Sequence, residues 1–374
     1  MDIKGFLSSL AAQGGTGGTH PVTKPDFTLS YENKDITGDI APYLISFVYT
    51  DYLEGQSDEL QVEFEDVDGR WLRGWYPEQG DALSLSLGDQ FTGLVALGSF
   101  EIAEIEYNHP PSTVSIKALA AGISKASRTL KGRAYENTTL AEIVRQVAAR
   151  LKLEPSGQVK DIKIKRITQY QERDIEFLSR LAKEYGHTFK IVGNKLVFAD
   201  SVKSCVRINA TLKEREVVVV LSPEDMTRIR LRDLIKGVPT QVEMRGYDPK
   251  TKKTVSATRK TKSLRPKSKR GHTGDTLKIV PNKGESQAQL NARADAKLAE
   301  AQDDQCAGNI TLFGNALLVA GQTVRLKNMG KFSGKYLVKQ ARHEYRSNSG
   351  YTTELEIKMI EYIDDEEQQD ATNP

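Results

Sequence analysis

The segment Gly80–Gly93, GDALSLSLGDQFTG, recurs as Gly321–Gly334, GQTVRLKNMGKFSG, at a fixed offset (321 − 80 = 241). Leu85/Leu326, Phe91/Phe332 and Gly93/Gly334 all keep that offset. Farther along, Val114-Ser-Ile116-Lys117 meets Leu355-Glu-Ile357-Lys358 at the same spacing. A turn followed by alternating apolar residues occurs in any β protein, so one match carries little. Two matches in the same order at one offset point to a duplicated β unit. A weaker echo joins Asp51–Gly55 to Asp233–Gly237, each followed by a strand through Val62 or Val242. The expected fold class is therefore mainly β with α+β insertions: two related β-barrels, a small helix-containing domain and an inserted basic and helical segment. Repeated units of this kind lend themselves to quasi-equivalent rings.

The periodicity places the boundaries. A flexible arm is expected over residues 1–25, where glycines crowd positions 14–18. From 26 to 120 the pattern alternates with period 2, as in Leu60-Gln-Val62-Glu-Phe64, and this is the first barrel. Over 121–206 the period changes. Leu140, Ile143, Val144, Val147 and Leu151 fall at helical spacing, and Thr139 with Glu142 sets up a capping box. A second helix is predicted over Asp174–Tyr185, ended by Gly186. A hairpin follows at Phe189–Ala199 around Gly193-Asn194. The second barrel is expected to be discontinuous, formed by 207–245 and 307–362. Residues 246–306 would be inserted as a basic loop and a polar, alanine-rich helix near Gln287–Ala301. Residues 363–374 form an acidic tail.

Composition narrows the function classes. A net charge of +3 over 374 residues marks neither a dedicated nucleic-acid binder nor a strongly acidic protein. Two cysteines, Cys205 and Cys306, make no disulfide framework and no zinc spacing. Residues 1–18 lack the pattern of a secretory signal, and no apolar run reaches bilayer length. A chain assembled in a reducing cytoplasm is expected.

The segment Gln169–Gly186, QYQERDIEFLSRLAKEYG, resembles a motif of the phage late control gene D family, the tail hub proteins of contractile phages. It is also similar to the amino-terminal region of the type VI secretion spike proteins. Val242–Pro249 and the closing Gly334–Val338, His343 and Gly350–Thr353 add weaker matches. The resemblance implies a structural hub in the baseplate of a phage or of a headless tail-like bacteriocin, assembled in the bacterial cytoplasm. It further implies a homotrimer whose six barrels form a pseudo-sixfold ring between the tail tube and a central spike. The partners would be the spike, the tube and other baseplate proteins. The sequence closes soon after the second barrel, so the spike is expected to be a separate polypeptide.

Candidate chemistry is sparse. The five histidines, at 20, 109, 187, 272 and 343, show no ligand spacing, and neither metal nor cofactor is expected. Glu172, Asp174 and Glu176 are better read as capping a helix start than as a catalytic pair. No catalytic residue is assigned, and no enzyme activity is expected. The basic run between Lys250 and Arg270 contains no acidic residue. It offers Lys252, Lys253, Arg259, Lys260, Lys262, Arg265, Lys267, Lys269 and Arg270 as a protein-interface candidate. A solvated loop, a surface for an acidic partner and a phosphate contact are its three readings. The missing aromatics leave nucleic acid the least supported. The alternative function is a peptidoglycan-binding or peptidoglycan-cleaving tail component, using the helix-containing unit.

Overall fold

The computed structural model describes residues 24–54, 57–78, 80–89, 93–120, 130–192, 194–200, 218–234, 239, 241–248, 253–260, 276–280, 285–303 and 305–364. The first series of strands is β1 (Pro25–Tyr31), β2 (Lys34–Asp35), β3 (Leu44–Tyr52), β4 (Glu59–Glu65), β5 (Ala82–Asp89), β6 (Gly93–Asn108) and β7 (Thr113–Ala120). A helix-containing unit follows: β8 (Lys131–Thr139), α1 (Leu140–Leu151), β9 (Glu154–Ser156), β10 (Lys163–Glu172), α2 (Asp174–Tyr185), β11 (His187–Val192) and β12 (Lys195–Asp200). Next come β13 (Val219–Leu221) and β14 (Arg228–Asp233). Then follow β15 (Gln241–Asp248), β16 (Lys253–Lys260), β17 (Thr276–Ile279) and α3 (Gln287–Asp303). The last strands are β18 (Cys306–Phe313), β19 (Thr323–Leu326), β20 (Gly334–Arg346) and β21 (Gly350–Tyr362).

The expected duplication can be read directly from the strand pairings. In the first series the order is β3-β4-β7-β6-β5-β1; in the second it is β14-β18-β21-β20-β19-β13. Each step has its counterpart, and all are antiparallel except the last, where β13 runs parallel to β19 but β1 antiparallel to β5. The glycines of the sequence repeat have a physical cause. Gly80 and Gly321 have φ of +97° and +88°, and Gly93 and Gly334 have +79° and +151°. A residue with a Cβ is strained at such angles. Between the glycines the alternation buries Leu83, Leu85 and Leu87 in one core and Val324 and Leu326 in another. Full burial of each leucine contributes about 1.5–3 kcal/mol.

The architecture is mainly β with a few helices, but thirteen of the 21 described strands form one open sheet, not two closed rings, and the other eight form three small sheets. β20 pairs with β3, Arg342 opposite Thr50, and this joins the two series edge to edge. A second difference concerns the insertion. Val242 was expected in the second barrel, yet β15 pairs with β16 and β17 in a separate three-stranded sheet. The counterpart of β4 is β18, so the insertion leaves the second series directly after β14. Within the basic stretch, Lys253–Lys260 forms a strand, β16, instead of a loop.

The helix-containing unit follows its sequence closely. Thr139 Oγ1 accepts from the Glu142 amide at 3.2 Å, capping α1. The Glu142 carboxylate turns to Arg145, at 3.1 Å, so only half of the expected box is present. α2 ends at Gly186, with φ +67°. Leu178 and Leu181 are fully buried among Ile143, Val147 and Leu151 of α1. α3 ties the insertion to this unit: Leu290 and Ala294 are buried against β15 and β16, and Gln289 donates to the Tyr185 hydroxyl at 3.2 Å. The arm over 1–23 and the tail beyond Asp364 lie outside the described residues.

Candidate functional site

Three groups of polar side chains are buried deeply enough to suggest chemistry. The first is centred on Asp51, at the end of β3. Its carboxylate pairs with Lys190 of β11 and accepts from the Ala320 amide at 2.8 Å. Lys190 also reaches Asp58 at 3.0 Å, and Asp58 accepts from the Tyr52 amide at 3.0 Å. Burial pushes the Asp58 carboxyl up to about 6, against the lowering influence of Lys190. One lysine thus joins the first series to the helix-containing unit, and one carboxylate joins both to the second series. The arrangement is a joint, since Lys190 and Asp51 each bond to groups from another part of the same chain.

The second group surrounds Asp174, the first residue of α2. Its fully buried carboxylate accepts from Arg150 and Lys131, each at 2.6 Å, and from Gln169 at 3.0 Å. Burial alone would raise this carboxyl, but these donors outweigh it and hold it at about 2. Glu176 accepts from the Arg173 amide at 3.0 Å, as a capping residue does. Glu172 is held by Arg180, at 2.8 and 2.9 Å. Arg180 also donates to the Thr168 carbonyl at 3.0 Å and to Glu184 at 3.2 Å. The acidic start of the family-like motif is therefore an anchor for the β10–α2 turn.

The third group is His343, fully buried in β20. One ring nitrogen lies 2.7 Å from the Tyr351 hydroxyl and the other 3.0 Å from the Leu318 carbonyl. Burial lowers its pKa to about 4, so the ring is neutral and acts as a clamp. His187 is likewise buried, accepts from the Lys160 amide at 3.1 Å, and is lowered to about 4, mainly by burial. Among the described residues, no three His, Cys, Asp or Glu side chains are grouped to hold a metal ion.

The basic candidates are spread unevenly. Lys253, Arg259 and Lys260 lie on β16. Arg259 is paired with Asp295 of α3, so its charge is partly committed inside the chain. Lys252, Lys262, Arg265, Lys267, Lys269 and Arg270 lie outside the described residues. Sequence reasoning missed a different surface. Leu72, Trp75 and Tyr76 are exposed beside the buried Trp71 on the β4–β5 connection. It also missed the alternating arginines of β14, whose outer edge ends the sheet among the described residues.

These features describe a scaffold, and comparison with known proteins says which one. The family model described as phage tail baseplate hub (GPD) matches residues 112–349. The chain belongs to the phage tail baseplate hub (GPD) family. It is 28% identical, over 90% of its length and 95% of the relative's, to a probable baseplate hub protein of Escherichia phage 186. A second probable baseplate hub protein, of Escherichia phage P2, is 34% identical over 46% of this chain and 45% of that one. The fold is similar to that of the prophage MuSo2 43 kDa tail protein from Shewanella oneidensis, with a TM-score of 0.65, 15% identity and 90% and 98% of the two chains covered. The E. coli c3393 protein, a component of the type VI secretion system, aligns with a TM-score of 0.51 at 11% identity, covering 90% of this chain and 76% of that one. The similarity to type VI secretion proteins expected from Gln169–Gly186 therefore extends to the fold.

Proposed function

We propose that three copies of this hub protein close into a ring that joins a contractile tail tube to a central spike, with the two β series of each copy as six related, barrel-like positions. The observation that carries this reading is the shared strand order of the two series. A chain built twice on one plan offers sixfold contacts to a tube on one side. Its single helix-containing unit and single insertion per copy offer threefold contacts to a spike on the other. The Asp51–Lys190–Asp58 group fits a mechanical role, because it ties the parts of one chain together. Light scattering on the purified chain, alone and mixed with its spike, tests the stoichiometry. Three copies of the 41.6 kDa chain per particle are expected under at least one of the two conditions, after the mass of any bound spike is subtracted. A chain that remains single in both refutes the ring.

Within that assembly the basic run is a docking surface for an acidic face of a neighbouring baseplate protein. Its lysines lie in a stretch without acidic neighbours, which leaves a concentrated positive field. Neutralising Lys260, Lys262, Lys267 and Lys269 should weaken assembly most at low salt, where screening is least, and leave the thermal midpoint unchanged. Equal assembly of this variant at every ionic strength would remove the surface from the account.

A further inference from the structure

Inside the chain the two series meet at one junction, and its geometry defines a second. β20 is shared along its length: residues 334–337 pair with β19 and residues 340–346 with β3, both on the side away from β21. Its counterpart β6 is only half used in this way. Residues 93–101 pair with β5, and 100–108 pair with β7. On the β5 side, Ala103–Asn108 has no strand among the described residues. The counterpart of β3 is β14, which pairs with β18 and, among the described residues, is the end of the sheet. The two open edges are thus the counterparts of the two edges that meet within the chain.

Their side chains are complementary. Along β14, Arg228, Arg230 and Arg232 are exposed, while Ile229 and Leu231 lean on the second core. Along the open half of β6, Glu104 and Glu106 are exposed, while Ile105 leans on the first core. None of these five charged residues forms a salt bridge among the described residues. Directly opposed residues of an antiparallel pair share a face. Any register that sets the arginines on the glutamate face therefore sets Ile229 and Leu231 on the face of Ile105. A slip of one residue would set arginine against isoleucine, so the pattern selects one parity of register.

We propose that β14 of one copy pairs antiparallel with Ala103–Asn108 of the next copy, making the junction between copies a repeat of the β20–β3 junction within each copy. This rests on the ring reading above and names the surface that closes the ring. It also covers two sheet edges that would otherwise invite unregulated pairing.

Reciprocal charge exchange tests it. Changing Arg228, Arg230 and Arg232 to Glu should reduce the assembled mass to that of one copy, and so should Glu104→Arg with Glu106→Arg. Mixing the two variants should restore opposite charges at each junction between unlike copies, two of the three junctions of a mixed ring. Independently, Arg230→Cys with Glu106→Cys, on a Cys205→Ser background, should yield chains joined in series by a short bis-maleimide, whatever happens to the folding of the charge variants. Two outcomes overturn the edge pairing while leaving the ring intact: wild-type mass in both charge variants, or a three-copy wild type whose double-cysteine form does not cross-link between chains. A wild-type chain that stays single even beside its spike overturns the ring and this junction together.

Discussion

Replacing Lys190 with methionine will destabilise the chain by about 3–5 kcal/mol, the usual cost of removing one partner of a buried ion pair. Lys190 is only 10% exposed and faces two carboxylates, Asp51 at 6% and Asp58 at 14%. Without the ammonium, two like charges remain in a low-dielectric pocket, and Asp58, already pushed up to about 6, rises further. The loss will not be confined to one unit, because Asp51 also holds the Ala320 amide of the second series. Chemical denaturation is expected to show a lower midpoint, and the triple change Lys190→Met, Asp51→Leu, Asp58→Leu should recover part of it. A Lys190→Met midpoint equal to wild type would show that the three parts are not joined there.

Asp174→Ala carries a similar expected loss, about 3–5 kcal/mol, for the opposite reason: two cations, Arg150 and Lys131, lose their shared acceptor. The same residue gives a pH signature. Its folded pKa, about 2, lies below the ordinary value of 3.8. The stabilisation it provides is fully present above pH 4 and is lost as pH falls through about 2. Wild type should therefore lose stability across that window more steeply than Asp174→Asn, measured by urea denaturation at each pH. Parallel pH profiles for the two proteins would contradict this placement of Asp174.

Local features were the most legible part of the sequence. Thr139, the apolar spacing of α1 and Gly186 act within a few residues, so the helices begin and end where those residues require. The repeat was legible because its four matched glycines, at 80, 93, 321 and 334, sit at positive φ, where other residues are strained. The placement of Val242 was not. Its alternation with Met244 is that of any half-buried strand, and period 2 does not say which sheet receives it. The basic run misled for a related reason: Lys253–Lys260 alternates Val255 and Ala257 with polar residues, a strand signature hidden by the charge. The contact between Lys190 and Asp51 spans 139 residues, and no local pattern announces such a pair. The complementary edges became visible only once strand order showed that β14 and β6 stand where β3 and β20 stand.

The central claim is that one chain supplies two equivalent positions in a closed ring. Electron cryomicroscopy of the purified hub bound to its spike tests this most directly, through the rotational symmetry of each layer. Six similar β lobes are expected around the axis in one layer, with three copies of the helix-containing unit in the adjoining layer. A ring whose β layer shows only threefold density, with the two series of each chain at different radii, would contradict it.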